Sequence, residues 1–291
     1  MFLNHDNPSH LSAPVEDGSQ GVAQGSQGSS AAGTDAASTV TTTSDDHTVA
    51  RELAREAGAL LLTVRAELVA AGADERTIKD AGDLRSHDWL MERLAALRPD
   101  DAVLSEEGKD DQARLTFSRA WIIDPLDGTR EFSEVRDDWA VHVALSIDGE
   151  PAVGAVALPG HGLVLSTAEA PATPDRPVGR PVQVVVSRTR PPAIAVAVAE
   201  QLGGELVPMG SAGAKAMAVV RGEVDVYVHG GGQYEWDNCA PAAVALAAGL
   251  HVSRLDGSPL HYNNADPYLP DLIICRPELA ADVLRIVSEL G

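Results

Sequence analysis

With 291 residues, 44% of them hydrophobic and 22% charged, the chain can bury a substantial core and reads as globular. A formal net charge of −21 excludes a nucleic-acid polymer as partner, because a phosphate backbone needs a basic surface to meet it. No run of about 18 apolar residues predicts a membrane span, and the N-terminus lacks the basic start and apolar core of a secretory signal, so a cytoplasmic location is expected.

Residues 1–46 hold several acidic residues, no Lys or Arg, and mostly Ser, Gly, Ala, Thr and Gln. Such a segment cannot offset its ordering entropy by burial, and a disordered acidic tail is predicted there, ahead of a folded domain over 47–291. Asp46 is placed as the cap of a first helix whose apolar positions Val49, Leu53, Leu60, Leu61, Val64 and Leu68 recur on one face. A second helix is expected from about Asp83 to Leu97, with Pro99 marking its end. Strands follow at about 102–105 and 119–123, then Val141 to Ile147 and Ala152 to Leu158 joined by the hairpin signal Asp148-Gly149. The four prolines of 168–181 divide the domain into sub-domains of about 47–180 and 181–291. The second half alternates strands at 182–187, 205–207, 224–228 and 271–275 with helices at 191–202, 211–221, 237–249 and 277–290, the pattern of a sheet covered by helices. Cys239 and Cys275 are read as buried thiols in a reducing compartment.

Three acidic clusters carry the chemical signal. Asp124-Pro125-Leu126-Asp127-Gly128-Thr129 puts two carboxylates three residues apart at the end of an apolar run. Their oxygens are hard donors suited to Mg2+. A helix starting at Thr129 would leave N–H groups free for a phosphate. The same residues also suit a plain Pro/Gly turn. Glu106-Glu107 follows the run Ala102 to Ser105, and Trp236-Asp237 opens a helix; taken singly, these are a solvated pair and an N-cap.

Taken together and in this order, the three clusters resemble the inositol monophosphatase superfamily of Mg2+-dependent phosphatases over nearly everything after residue 46. Within it, Gly128-Thr129-Arg130-Glu131-Phe132, Ser187-Arg188 and Gln233 to Asp237 are similar to the 3'(2'),5'-bisphosphate nucleotidases. The resemblance implies a layered α/β/α/β/α sandwich with a metal-binding and a substrate-binding half. It implies hydrolysis of the 3'-phosphate of adenosine 3',5'-bisphosphate (PAP) to AMP, and of its sulfated parent PAPS to APS, in sulfate assimilation. Two or three Mg2+ ions are then expected: one held by Glu106, Asp124 and the Leu126 carbonyl, a second by Asp124, Asp127 and Asp237. A water would be activated by Thr129 paired with Asp83, for which Asp88 is the substitute.

Substrate contacts are expected from Gly128, Thr129 and Arg130. In the second half, Ser187-Arg188 is expected at the nucleotide, Gly210-Ser211 with Lys215 at a second phosphate, and Glu235 at a ribose hydroxyl. His142 is read as a core histidine and Trp236 as packing. The expected partner is a small phosphorylated nucleotide, and a homodimer is compatible with the pattern. Inositol monophosphate, fructose 1,6-bisphosphate and histidinol phosphate stand as alternative substrates, and a non-catalytic PAP sensor as an alternative role.

Overall fold

The computed structural model describes residues 45–290, so the tail expected over 1–46 lies outside the described residues except for its last two positions. Those two belong to the fold. The cap of the first helix, α1 (Asp46–Ala70), is Asp45, whose carboxylate accepts the Thr48 N–H at 2.8 Å. Asp46 sits one residue inside and pairs with Arg98 at 2.7 Å and Arg119 at 3.0 Å. The second helix, α2 (Glu75–Leu97), starts well before Asp83 because Asp74 caps it through Thr77 N–H at 2.7 Å. Asp83 is therefore an interior position facing a neighbour, not a helix start.

The first sheet has the order β1 (Ala102–Ser105), β2 (Arg119–Asp127), β3 (Ala140–Ile147), β4 (Glu150–Leu158), β5 (Leu163–Ser166). The β1–β2 pair is parallel and the rest are antiparallel. Asp148 (φ 52°) and Gly149 (φ 85°) make the β3–β4 turn, as the dipeptide predicts. Strand β2 runs past its predicted end at 123. Its register to β3 holds at Asp124↔His142 and resumes, shifted, at Asp127↔Ala140. Pro125 falls in that irregularity, where the missing ladder N–H does no harm. The short helix α3 (Thr129–Ser133) follows at once.

The second sheet has the order β7 (Glu205–Met209), β6 (Gln183–Ser187), β8 (Val226–Gly230), β10 (Asp271–Cys275), β9 (His251–Ser253), with β7, β6 and β8 parallel. Its helices are α4 (Ala193–Gln201), α5 (Ala212–Val220), α6 (Glu235–Ala247) and α7 (Ala280–Leu290). Alternation along the strands sorts the side chains into three cores. Trp121 and Ile123 pack under α1 and α2 with Leu53, Leu61, Leu90 and Leu94. Ile122 and Ala144 face Met217 of α5 and Val244 of α6. Val184, Val186 and Ile273 pack under Val198 of α4 and Ile286 of α7. The layers are thus α1/α2, sheet one, α5/α6, sheet two and α4/α7, the five-layer sandwich implied by the resemblance. Burying each such side chain contributes about 1.5–3 kcal/mol, which is why these faces cannot part cheaply.

Residues 167–182 connect the sheets and are fastened by one buried carboxylate. Asp225, fully buried, receives Arg180 at 2.6 Å, Arg276 at 2.8 Å and Arg176 at 3.4 Å, and Arg276 also holds the Pro174 carbonyl at 2.9 Å.

Candidate active site

The acidic clusters converge where β1 and β2 end and α6 begins. Asp124, Asp127 and Asp237 each present an oxygen such that all three lie within 4.8 Å of one another. Asp124 and Asp127 are buried, and both oxygens of each are hard donors. Glu106 stands at the exposed rim beside Asp124. Its carboxyl is pushed up to about 7, first by desolvation and then by the Asp237 charge. Burial raises Asp124 well above the carboxylate range, reinforced by Glu106, Asp127 and Asp237. Asp237 rises to about 6 through burial and Asp127. Such mutual repulsion among crowded carboxylates is relieved by a cation, and the donor set fits Mg2+.

Asp127 behaves differently. Burial alone would raise it, but His142, the Lys215 charge and the Ser211 hydroxyl outweigh that and hold it below its usual range. The first turn of α5 supplies the bonds: Ser211 Oγ donates to Asp127 at 2.5 Å, Ala212 N at 3.1 Å and Gly213 N at 2.6 Å. A helix N-terminus favours negative charge, and here the anion it binds is the protein's own carboxylate.

The turn expected to cradle a second phosphate makes further bonds within the protein. The Gly210 N–H is taken by Asp138 at 2.7 Å. Lys215, buried, turns its ammonium onto the Gly210 carbonyl at 3.2 Å and onto the Ser211 carbonyl. Ser211 therefore holds Asp127, while Lys215 closes the turn through the Gly210 and Ser211 carbonyls. Glu235, fully buried, accepts Asn263 N at 2.7 Å and both the backbone and side-chain N–H of Asn264 at 2.8 Å, and so fastens the 263–264 loop.

Thr129 sits at the start of α3, where Gly128 adopts φ 88° and where any Cβ would stand 3.1 Å from Ser211 Cβ. Its hydroxyl reaches Asp83 Oδ1 at 3.4 Å and the Leu126 carbonyl at 3.1 Å. Asp83 is pushed up to about 7 by desolvation, then by Glu107, against the Thr129 bond. Asp88, five positions on, is exposed on a different face of α2, so Asp83 is the partner of Thr129. Ser86 donates to the Pro125 carbonyl at 2.7 Å, which seats α2 against the bulge.

Arg130 is exposed next to Thr129, while Arg188 spans from β6 to α3, bonding Glu131 at 2.8 Å and Glu134 at 2.7 Å. Ser187 lines a cavity of about 480 Å3 with Arg190, His229, Gly230, Gly231 and Gly232. It opens at the carboxyl ends of β6 and β8. From β6 the chain crosses by α4 to β7, and from β7 by α5 to the opposite side of β6, so the cavity occupies the point where strand order reverses, the usual ligand crevice of parallel sheets. Sequence reasoning did not single out Arg190 and His229 as lining residues; the preceding Ser187-Arg188 and the Gly-Gly pair after β8 were the available signal. It also missed what His142 does: fully buried, the imidazole sets Nδ1 3.0 Å from the Trp236 carbonyl and Nε2 3.3 Å from Asp127 Oδ2. Trp236 stacks on Tyr234 at 4.9 Å.

Comparison with known proteins bears on this geometry. The chain is 54% identical over 243 residues to the 3'-phosphoadenosine 5'-phosphate phosphatase of Mycobacterium bovis, covering 80% of this chain and 90% of that protein. It is 33% identical over 232 residues to the 3'(2'),5'-bisphosphate nucleotidase CysQ of Escherichia coli, covering 75% and 94%. Among solved structures, CysQ from Bacteroides thetaiotaomicron, a bacterial member of the inositol monophosphatase family, superposes with a TM-score of 0.63 at 25% identity, covering 79% and 96%. The inositol monophosphatase family model matches residues 43–290, a span that contains all four carboxylates, Thr129 and both sheets, and the chain belongs to that family.

Proposed function

We infer that the chain is a Mg2+-dependent 3'-phosphatase that hydrolyses adenosine 3',5'-bisphosphate to AMP and phosphate, and PAPS to APS, within sulfate assimilation in the cytoplasm. The observation that carries this reading is the 54% identity to a 3'-phosphoadenosine 5'-phosphate phosphatase over 90% of that protein's length. The buried carboxylate cluster beside a Thr–Asp pair supports the chemistry.

Glu106, Asp124, Asp127, Asp237 and the Leu126 carbonyl would hold the cations, two or three in number. Bound there, Mg2+ supplies positive charge that acidifies a water and offsets the phosphoryl oxygens. The remaining work falls to the chain's own residues. Thr129 has one hydroxyl hydrogen, for which the Leu126 carbonyl at 3.1 Å and Asp83 at 3.4 Å compete; turned to Asp83, it leaves an oxygen lone pair to accept hydrogen from the attacking water. Asp83, raised to about 7, can take and release that proton near neutral pH. Gly128 keeps the approach to Thr129 free of a side chain. Arg130 and the crevice at Ser187 and Arg190 supply cations for the second phosphate, and the cavity's volume suits a nucleoside.

The test is phosphate release from PAP, PAPS, inositol 1-phosphate, fructose 1,6-bisphosphate and histidinol phosphate at fixed Mg2+, repeated after chelation with EDTA. The expected result is highest kcat/KM on PAP, loss with EDTA, recovery with Mg2+ and inhibition by Li+. Preference for inositol 1-phosphate would move the chain to the sugar-phosphate branch of its family, and turnover in EDTA would remove the cation.

A further inference from the structure

The proposed reaction leaves His142 without a task, although it is fully buried against the carboxylates. Register puts it there: His142 lies opposite Asp124 across the β2–β3 pair, on the face of sheet one that looks toward the middle layer with Ala140 and Ala144. A carbonyl only accepts, so the 3.0 Å contact with Trp236 means that Nδ1 carries a hydrogen and donates it. Nε2 packs against Asp127 Oδ2 at 3.3 Å without making a hydrogen bond, so its hold on that carboxylate is one of contact. The ring fits because residue 213 is glycine: a Cβ there would stand 2.0 Å from Nε2, while the Gly213 N–H bonds the same Asp127 oxygen at 2.6 Å. Burying an imidazole costs free energy that an apolar side chain in the same core would avoid.

We propose that His142, seated in the notch left by Gly213, is a positioning residue that sets Asp127 at the end of β2 and the first turn of α6, which carries Asp237, at the spacing a divalent cation requires. It ties the first sheet to the helix that brings the distant ligand. The proposal rests on the cation-dependent reading above. Residues that orient metal ligands in this way are commonly worth 10- to 100-fold in metal affinity.

The experiment is a titration of the full chain with Mn2+, followed by electron paramagnetic resonance without substrate, paired with KM for PAP at saturating Mg2+. His142→Ala is expected to weaken Mn2+ binding roughly tenfold or more while KM for PAP stays within about twofold, since the ring touches no substrate. His142→Asn, whose amide can donate to the Trp236 carbonyl, is expected to recover most of the affinity. Gly213→Ala, which displaces the ring, is expected to weaken binding similarly, and the double variant to be no worse than either alone. If His142→Ala does not fold, the Asn and Gly213→Ala variants carry the test. Wild-type Mn2+ affinity in the folded variants, or strictly additive losses, would overturn the positioning role. A wild-type chain that binds no Mn2+ would overturn the cation-dependent reading on which the role rests.

Discussion

Asp124 has almost no access to solvent and shares its pocket with Glu106, Asp127 and Asp237, so in the absence of a cation its ionised form is strongly disfavoured. Asp124→Asn removes that charge and keeps the shape. We expect kcat on PAP to fall about 10³-fold or more, because a cation's electrostatic contribution is worth several kcal/mol. The melting temperature in EDTA should equal or exceed that of the wild type, and phosphate release with calorimetry checks both halves. Asp101 is the opposite case, since it accepts Arg119 at 2.7 and 2.8 Å and Trp121 Nε1 at 2.9 Å. The Arg119 bond, against a smaller desolvation penalty, lowers its pKa, so the folded state gives up this proton more readily than the unfolded state. The resulting stability is complete above the unfolded pKa and is lost as pH falls through the folded one. Asp101→Asn should therefore lower the melting temperature at pH 7, with the gap to wild type narrowing below about pH 4. At this scale the carboxylates were legible, because acids at strand ends with a Gly-Thr turn serve few purposes. The backbone bonds of Lys215 and Glu235 were not legible, because a charge in sequence does not say whether its partner is a ligand or the protein's own backbone.

Among the elements, the linker over 167–182 depends most on a single group. Three arginines converge on Asp225, so Asp225→Ala leaves the buried Arg276 and the partly exposed Arg176 and Arg180 without their counter-charge, a loss of about 3–5 kcal/mol. Urea unfolding should show a lower midpoint, and limited proteolysis should gain cleavage sites within 168–181. Neither change would appear if the linker were held by its prolines alone. The clasp was not readable in the sequence, since Arg176, Arg180, Asp225 and Arg276 are scattered along the chain. The start of helix α2 is hard to read in the sequence because Gly82 interrupts its helical signal. Yet Gly82 is bare for a packing reason, a Cβ there standing 2.8 Å from Leu126 and Phe132 side-chain atoms. Strands β5 and β9, of four and three residues, carry too little periodicity to register.

For the molecule as a whole, alternation announced helices over a sheet, whereas the five layers needed the family resemblance. The reason lies in α5 and α6. Helices buried on both sides lose the one-sided stripe that marks an amphipathic surface helix, and their Ala-rich faces, Ala214, Ala216, Ala240, Ala242 and Ala245 among them, resemble generic helix composition. Deleting residues 1–44 should leave kcat/KM for PAP within about twofold, because the composition of that segment offers no core and Asp45 still caps α1. A larger loss would mean that the tail contributes to the site.

Asp124 belongs to the first sheet, Asp127 is anchored by α5, and Asp237 rides on α6, so the ligand set is shared across the boundary between two layers. The site is a seam, and whatever it binds acts as a rivet. A slight parting of sheet and helices would scatter the ligands while every helix and strand kept its own hydrogen bonds. Enzymatic competence therefore gauges the gap between layers, and circular dichroism gauges the layers themselves. Along a denaturant series at limiting Mg2+ the first signal should fade before the second, and saturating Mg2+ should draw the two curves together.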